Sequence, residues 1–344
     1  INPATIGLVL AVAPLVFGVT RIIFAAVGDA TGVKKVFILS PLAAGVSCIT
    51  FIIASNPLTY GLGKVFSGVQ DAAIWAVNRS AVAAGAKHVE ISTAKMKALY
   101  WFGTAVGMTL AGFALTKFSF EQTLGALTVL ALAATGIGFF LKPDSTKASA
   151  SKILNKIHFI PKTPKALKTS LIMALGEISA APLVLALTLY LNQAGYSALE
   201  IGAVLALYFA VAFVVMQVTL NSRKTINHAK LVMPSAVVSC TALIAIPFLP
   251  NYTPLLVAIM AVGDGLGSIV WEKLVVNALH DKKNMANFST EIGVLHFPSK
   301  LVGAIALALA GVLIETLGFL AGFTFLALAW IAFAVESRKI LAVK

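Results

Sequence analysis

Apolar runs of about 20 residues recur along the whole chain, with only short polar breaks between them. A helix of that length, rising ~1.5 Å per residue, crosses the ~30 Å hydrocarbon layer of a bilayer. Open strands cannot cross, because their unpaired backbone groups would face lipid, and the runs lack the alternation of a membrane barrel. The sequence therefore predicts an all-α polytopic membrane protein.

The composition agrees with this prediction, since 59% of the residues are hydrophobic and 11% are charged. Soluble domains carry about 25% charged residues. The apolar runs, and the polar, glycine and proline residues that interrupt them, predict eleven membrane spans. These are 4–27, 36–54, 57–78, 98–116, 122–141, 169–192, 199–220, 231–248, 253–275, 292–314 and 318–336.

The basic charge of the chain is unevenly distributed. A formal net charge of +13 would favour a nucleic-acid partner in a soluble protein. Here 22 of the 26 Lys and Arg lie on every second loop, and the positive-inside rule places those loops in the cytoplasm. The loops are 28–35, 79–97, 142–168, 221–230, 276–291 and the C-terminal tail, and the count includes Lys273 at the end of a span. The charge therefore predicts orientation in a cell membrane, and no nucleic-acid partner.

The two halves of the chain match each other. The segment NPATIGLVLA at 2–11 aligns with SALEIGAVLA at 197–206 after a shift of 195 residues. Similar shifts pair Trp75 with Trp271 and Gly112 with Gly311. Weak internal symmetry of this kind is typical of transporters.

The repeat also predicts the domain boundaries. The second half has a full span, 169–192, before its matched segment, whereas the first half has none. We expect a twelve-helix protein of which this chain holds eleven, with one N-terminal helix absent. The predicted units are a first bundle of five helices at 1–141, a basic cytoplasmic linker at 142–168, and a bundle of six helices at 169–344.

A charged loop between the first two spans carries the most specific motif. Residues 25–35, AAVGDATGVKK, are called the signature loop here. They resemble the Gly-x-x-x-Asp-x-x-Gly-Arg-Lys loop of the major facilitator superfamily. Ala25 stands at the first glycine of that motif, Asp29 and Gly32 match it, and Lys34 and Lys35 stand for its basic pair.

The resemblance implies a fold of two six-helix bundles related by a pseudo-twofold axis. It also implies a gating role for Gly28, Asp29, Gly32, Lys34 and Lys35, with Asp29 contacting the start of a helix in the other half at about 290–294. By the same resemblance, the spans 57–78, 169–192 and 253–275 line a central cavity. The segment GMTLAG at 107–112 resembles the antiporter motif Gly-Pro-x-x-Gly-Gly, although Met108 and Ala111 depart from it.

Six charged residues, three cations and three acids, lie at least six residues from either end of a predicted span. A charge at the centre of a bilayer costs at least ~2.5–3.5 kcal/mol, so such residues usually face a partner or a wet cavity. The six are Arg21, Lys64, Lys300, Asp71, Glu177 and Asp264. His296 lies four residues before Lys300 and shares its helix face. Together these seven residues are the predicted substrate and proton site.

A carboxylate in such a cavity can bind and release a coupling proton as access alternates. Glu177 is the first candidate for this role and Asp71 the second. Each can instead be held in a structural pair, Glu177 with Lys300 or Asp71 with Arg21. Asp264 is either substrate-facing or a local helix-bending contact. The two tryptophans of the repeat, Trp75 and Trp271, are interpreted as interfacial anchors rather than stacking groups.

The predicted function is secondary transport of a small organic solute across the plasma membrane by alternating access. Proton coupling is expected because the spans hold carboxylates and the sequence has no nucleotide-binding Gly-x-x-x-x-Gly-Lys-Ser/Thr loop. Export by antiport is favoured, and symport or uniport of a sugar or metabolite is the alternative. A non-transporting receptor of the same fold is a further alternative.

An enzyme is not expected, since neither His-Glu-x-x-His nor Gly-x-Ser-x-Gly occurs. No cofactor, no metal and a monomeric state are predicted.

Overall fold

The computed structural model describes residues 2–84, 88–141, 157–222, 227–279 and 288–342, and in these ranges the chain forms eleven α-helices and no strand. The helices are α1 (Pro3–Thr31), α2 (Lys34–Ile52), α3 (Pro57–Ala84), α4 (Val89–Lys117), α5 (Phe120–Gly138), α6 (Pro164–Gln193), α7 (Ala198–Asn221), α8 (His228–Ala245), α9 (Thr253–Leu279), α10 (Phe288–Leu317) and α11 (Phe319–Ala342). The all-α prediction is confirmed. The predicted linker at 142–168 lies outside the described residues as far as 156.

Each predicted span corresponds to one helix, but several helices are longer than the apolar run that predicted them. The helix α3 continues to Ala84 and α4 begins at Val89, where the runs end at 78 and begin at 98. By length and composition, ten of the eleven described helices can cross a membrane. The exception is α3, which is long enough at 28 residues but too polar, because it carries Lys64, Asp71 and Arg79.

Local sequence signals account for where several helices begin and end. Ser119 and Ser197 each start a helix with a capping box, in which the serine side chain accepts a hydrogen bond from the third residue's backbone N–H. Gly32 ends α1 with a φ of 91°, a left-handed conformation that glycine adopts without strain. These caps satisfy backbone groups that the helix itself leaves unpaired.

The first half, α1–α5, meets the second half, α6–α11, along two seams. In one seam α1 lies along α10, and in the other α4 lies along α7. The signature loop marks one end of the bundle, called the loop end here. The turns at 53–56 and 194–197 mark the other, called the far end.

Glycines bring the helices of both seams together towards the far end. A Cβ atom added at Gly7 would lie 2.6 Å from the carbonyl oxygen of Leu307 and 3.3 Å from the Cα of Gly311. In the other seam, a Cβ at Gly202 would lie 2.9 Å from the Cα of Gly112. Since the repeat matches Gly7 with Gly202 and Gly311 with Gly112, the two contacts are equivalent under a twofold operation. Small residues allow such close approach between membrane helices.

The variant Gly202→Ala tests this packing. Its Cβ would meet the carbonyl oxygen of Met108 at 2.7 Å, so α4 and α7 must move apart. Overpacking of this kind costs ~1–3 kcal/mol, and we expect a lower midpoint of thermal unfolding in detergent.

The matched control is Gly107→Ala on α4, where nothing lies within 4 Å of the added Cβ. This variant should keep or raise the midpoint, because alanine favours a helix over glycine by up to ~1 kcal/mol. Equal midpoints for the two variants would contradict the packing described here.

Candidate functional site

A central cavity of about 360 Å³ lies between the two halves. Its wall is formed by α1, α3 and α4 from the first half, and by α6, α9, α10 and α11 from the second. The helices α3, α6 and α9 are those that the resemblance places around a cavity. The volume falls within the ~300–1,000 Å³ that is typical of small-molecule sites.

One face of α3 explains why this helix is the most polar. Asp71, Trp75 and Arg79 follow one another at intervals of four residues and all three line the cavity. Residues four apart lie on the same side of a helix. Two of the three charged residues that make α3 a poor lipid-facing segment, Asp71 and Arg79, therefore belong to the inner wall.

A bidentate ion pair on the cavity wall joins the two halves. Arg79 donates from Nε to one carboxylate oxygen of Glu272 at 3.1 Å, and from Nη2 to the other at 2.5 Å. The two residues are 4% and 1% exposed, respectively. Both partners of such a pair have lost water, so removing one of them leaves a buried charge uncompensated, at ~3–5 kcal/mol.

A second ion pair joins α6 to α10. Lys300 Nζ donates to a carboxylate oxygen of Glu177, which is one of the two structural pairs considered from the sequence. Gly303 leaves room for this carboxylate, because a Cβ there would lie 2.6 Å from the Cγ of Glu177. His296 also lines the cavity one turn before Lys300, and its Nδ1 donates to the carbonyl oxygen of Ile292 at 2.8 Å.

Arg21 is the largest fully buried side chain of the described residues, at 2% exposure. Its guanidinium carbon lies 5.3 Å from the centre of the Phe17 ring, and the side chain borders the cavity. The alternative pairing of Arg21 with Asp71 is not formed. Neither Nε nor Nη2 of Arg21 has a hydrogen-bond partner in the described part of the chain. A buried donor without a partner costs ~1–3 kcal/mol, and more when it is charged.

Lys97 is surrounded by aromatic rings. Its Nζ lies 4.9 Å from the centre of the Tyr100 ring, 5.0 Å from Trp75 and 5.9 Å from Trp101. Ammonium groups within ~6 Å of an aromatic face are attracted to it. Asp71, also on the cavity wall, makes no hydrogen bond or ion pair with any described residue.

The charges of the cavity do not cancel. Arg79 and Glu272 neutralise each other, as do Lys300 and Glu177. The remaining charged groups of the described wall are the cations Arg21 and Lys97 and the carboxylate of Asp71. With that carboxylate ionised, the described wall carries one net positive charge.

The signature loop makes the contact that the resemblance implies. Asp29 Oδ2 accepts hydrogen bonds from the backbone N–H of Thr290 at 2.9 Å and from its hydroxyl at 2.7 Å. Thr290 lies in the first turn of α10, where backbone N–H groups lack helical partners and a negative charge is favourable. Gly28 packs against Val77, which a Cβ there would meet at 2.6 Å.

The basic residues of the loop do not take part in this contact. Lys34 Nζ donates to the carbonyl oxygens of Phe139 and Leu141, at the end of α5, at 2.8 and 2.6 Å. Lys35 is exposed.

Two of the predicted site residues lie away from the cavity wall. Asp264, on α9, accepts hydrogen bonds from the Tyr208 hydroxyl of α7 and the Ser239 hydroxyl of α8, both at 2.8 Å, so it joins three helices of the second half. Lys64 lies over the ring of Phe51, with Nζ 5.2 Å from its centre.

The structure also adds residues that the sequence did not assign to the site. The predicted spans, which stop at 78 and begin at 98, put Arg79 and Lys97 in a loop. Glu272 lies close to the end of its predicted span and is not among the predicted embedded charges. The interpretation of Trp75 and Trp271 as interfacial anchors is wrong, since both line the cavity. The spacing of Asp71, Trp75 and Arg79 by four residues was the available signal.

The family model for the Major Facilitator Superfamily matches residues 1–290. The chain belongs to this superfamily. Among curated proteins, no sequence matches the chain.

Solved structures of transporters share the fold of this superfamily member. The human organic anion transporter MFSD10 (TETRAN) superimposes with a TM-score of 0.70 at 13% identity, covering 96% of this chain and 83% of its own. A variant of the E. coli fucose:proton symporter FucP superimposes with a TM-score of 0.62 at 14% identity. The match covers 98% of this chain and 97% of the symporter. These likenesses confirm the all-α fold with two bundles. Membership of the superfamily supports membrane transport as the general function.

The variant Glu272→Gln tests the ion pair between the halves. It leaves the charge of Arg79 buried without a counterion, and we expect about 3 kcal/mol lower stability in detergent unfolding. The exchanged pair, Arg79→Glu with Glu272→Arg, should recover more than half of the loss.

The control is Glu336→Gln, which breaks the surface pair with Lys339, whose side chains are 34% and 62% exposed. Surface pairs contribute ~0–1 kcal/mol, so this change should be small. A Glu272→Gln protein as stable as the Glu336→Gln control would contradict the role given to the buried pair.

Proposed function

We propose that this chain is a proton-coupled secondary transporter that moves a small organic solute across the cell membrane by alternating access. The observation that carries the proposal is the charged central cavity, enclosed between two seams of an otherwise apolar bundle. Charges in such a bundle are costly, and in membrane proteins they mark the path of a substrate or an ion.

The contacts on either side of the cavity supply the two gates that alternating access requires. At the loop end, Asp29 holds the start of α10. Towards the far end, the glycine contacts join α1 to α10 and α4 to α7. We propose that these two sets of contacts open in turn, while residues 1–141 and 169–344 move as the two units. In this proposal the loop end faces the cytoplasm, and the transporter works as a monomer.

Glu177 is the first residue proposed to carry the coupling proton. Its carboxylate borders the cavity and holds Lys300. A proton on Glu177 would remove the negative charge that holds this lysine, so protonation and the packing of α6 against α10 become linked. Asp71 is the second candidate, because it faces the cavity with no hydrogen bond to another described residue.

The direction of transport rests on residues 107–112, from which we propose export by proton antiport. In the structure, Gly112 of this segment packs against Gly202, whereas nothing lies within 4 Å of a Cβ at Gly107. Helix packing therefore explains the glycine at 112 but not the glycine at 107. Symport or uniport of a sugar or metabolite is the alternative that a flux measurement separates.

The variant Glu177→Gln in proteoliposomes tests the coupling. A panel of sugars, amino acids, aromatic carboxylates and quaternary amines is screened with and without a pH gradient, and a trapped pH dye reports proton movement. For any solute that the parent protein concentrates, we expect Glu177→Gln to abolish accumulation and to leave part of the solute exchange, since the cavity keeps its shape. Asp71→Asn is measured in parallel.

The control is Glu200→Gln, because Glu200 lies in the capping box of α7 and glutamine also completes that motif. This control should transport like the parent protein. If Glu177→Gln and Asp71→Asn both concentrate the solute as well as the control does, the proposed proton sites are wrong. A protein that binds a solute of the panel but moves none would instead be a receptor.

A further inference from the structure

We infer that the solute is an organic anion with a flat aromatic body, whose carboxylate binds the guanidinium of Arg21 in the cavity that Lys97 also lines. The inference rests on the proposed function, since it names the substrate class of the same cavity. It is carried by the geometry of one buried arginine.

Arg79 shows how a carboxylate binds an arginine in this cavity. Both oxygens of Glu272 accept from one edge of its guanidinium, formed by Nε and Nη2. This side-on geometry is the bidentate arrangement that arginine and carboxylates favour.

In Arg21 the same two nitrogens have no hydrogen-bond partner in the described ranges, although the side chain is 2% exposed and borders the cavity. The guanidinium of Arg21 therefore lacks the carboxylate partner that Glu272 provides for Arg79.

The nearby carboxylates of the protein are already engaged. Both oxygens of Glu272 bind Arg79, and Glu177 binds Lys300 with its stem against Gly303. Asp71 lies on α3, and the structure does not pair it with Arg21. A carboxylate that arrives with the solute supplies what this guanidinium lacks.

The rest of the wall suits an aromatic anion. Lys97 provides a second cation, and the described wall has an excess of positive charge, which disfavours a cationic solute. All four tryptophans of the chain line the cavity, namely Trp75, Trp101, Trp271 and Trp330. Flat rings pack well against such walls, by offset or edge-to-face contacts.

Binding to the purified full-length protein tests the inference with three related probes. Benzoate has both the ring and the charge, benzamide lacks the charge, and cyclohexanecarboxylate lacks the aromatic ring. Because every tryptophan borders the cavity, a change in tryptophan fluorescence reports occupancy directly. We expect benzoate to bind most tightly, cyclohexanecarboxylate more weakly, and benzamide roughly tenfold to a hundredfold more weakly than benzoate, as for the loss of a charge-assisted contact.

The variants separate the shape of Arg21 from its charge. Arg21→Gln should weaken benzoate binding by roughly tenfold to a hundredfold and leave benzamide unchanged. Arg21→Lys keeps the charge but lacks the planar edge, so it should also weaken benzoate binding, by about tenfold. If Arg21→Gln does not fold, benzoate binding by Arg21→Lys tests the role of Arg21 instead. Lys97→Gln should weaken benzoate binding, and Lys117→Gln, an exposed cation at the end of the same helix, should not.

Two results would overturn the inference. One is benzamide binding as tightly as benzoate, and the other is Arg21→Lys binding benzoate like the parent protein. A different result would contradict the proposed function: benzoate would bind through Arg21, but no solute would be transported in proteoliposomes. Proton-driven transport of neutral solutes alone would keep the proposed function and overturn the inference.

Discussion

The pairing of charges inside an apolar bundle is the constraint on which the rest of the structure depends. Arg79 and Glu272 bind each other across the two halves, almost fully removed from water. Their attraction is strong because the interior has a low dielectric constant, and the same low dielectric makes an unpaired charge costly. The ion pair therefore fixes how α3 faces α9, and with it the position of the cavity between them.

The seams around this charged centre are built from different chemistry at the two ends of the bundle. Towards the far end, glycines let the backbones touch, and the contacts are matched across the pseudo-twofold axis. At the loop end, Asp29 binds the first turn of α10 through charge and hydrogen bonds. Packing contacts and polar contacts of this kind differ in their sensitivity to water and protons, which suits two gates that open in turn.

Much of the fold could be predicted from the sequence, because apolar run length and lipid thickness leave few alternatives. The repeat alone pairs Gly7 with Gly202, and the signature loop indicates the partner of Asp29 to within a few residues. The charged site was harder. An apolar run ends where charged residues begin, so run length alone puts Arg79 and Lys97 in a loop although their helices continue. Whether Glu177 pairs with Lys300, or Arg21 with Asp71, depends on helix rotation and side-chain rotamers, which spacing along the chain does not determine.

Access to the cavity from each face of the membrane tests alternating access most directly. Ser268 lines the cavity on α9, and Ser268→Cys in a background with Cys48 and Cys240 replaced by alanine provides a single reactive thiol. A membrane-impermeant thiol reagent is then applied to one face or the other. We expect labelling from both faces, with Asp29→Ala increasing the rate from the loop end and lowering it from the far end. Labelling from one face only, unchanged by Asp29→Ala, would contradict a cavity that the two membrane faces reach in turn.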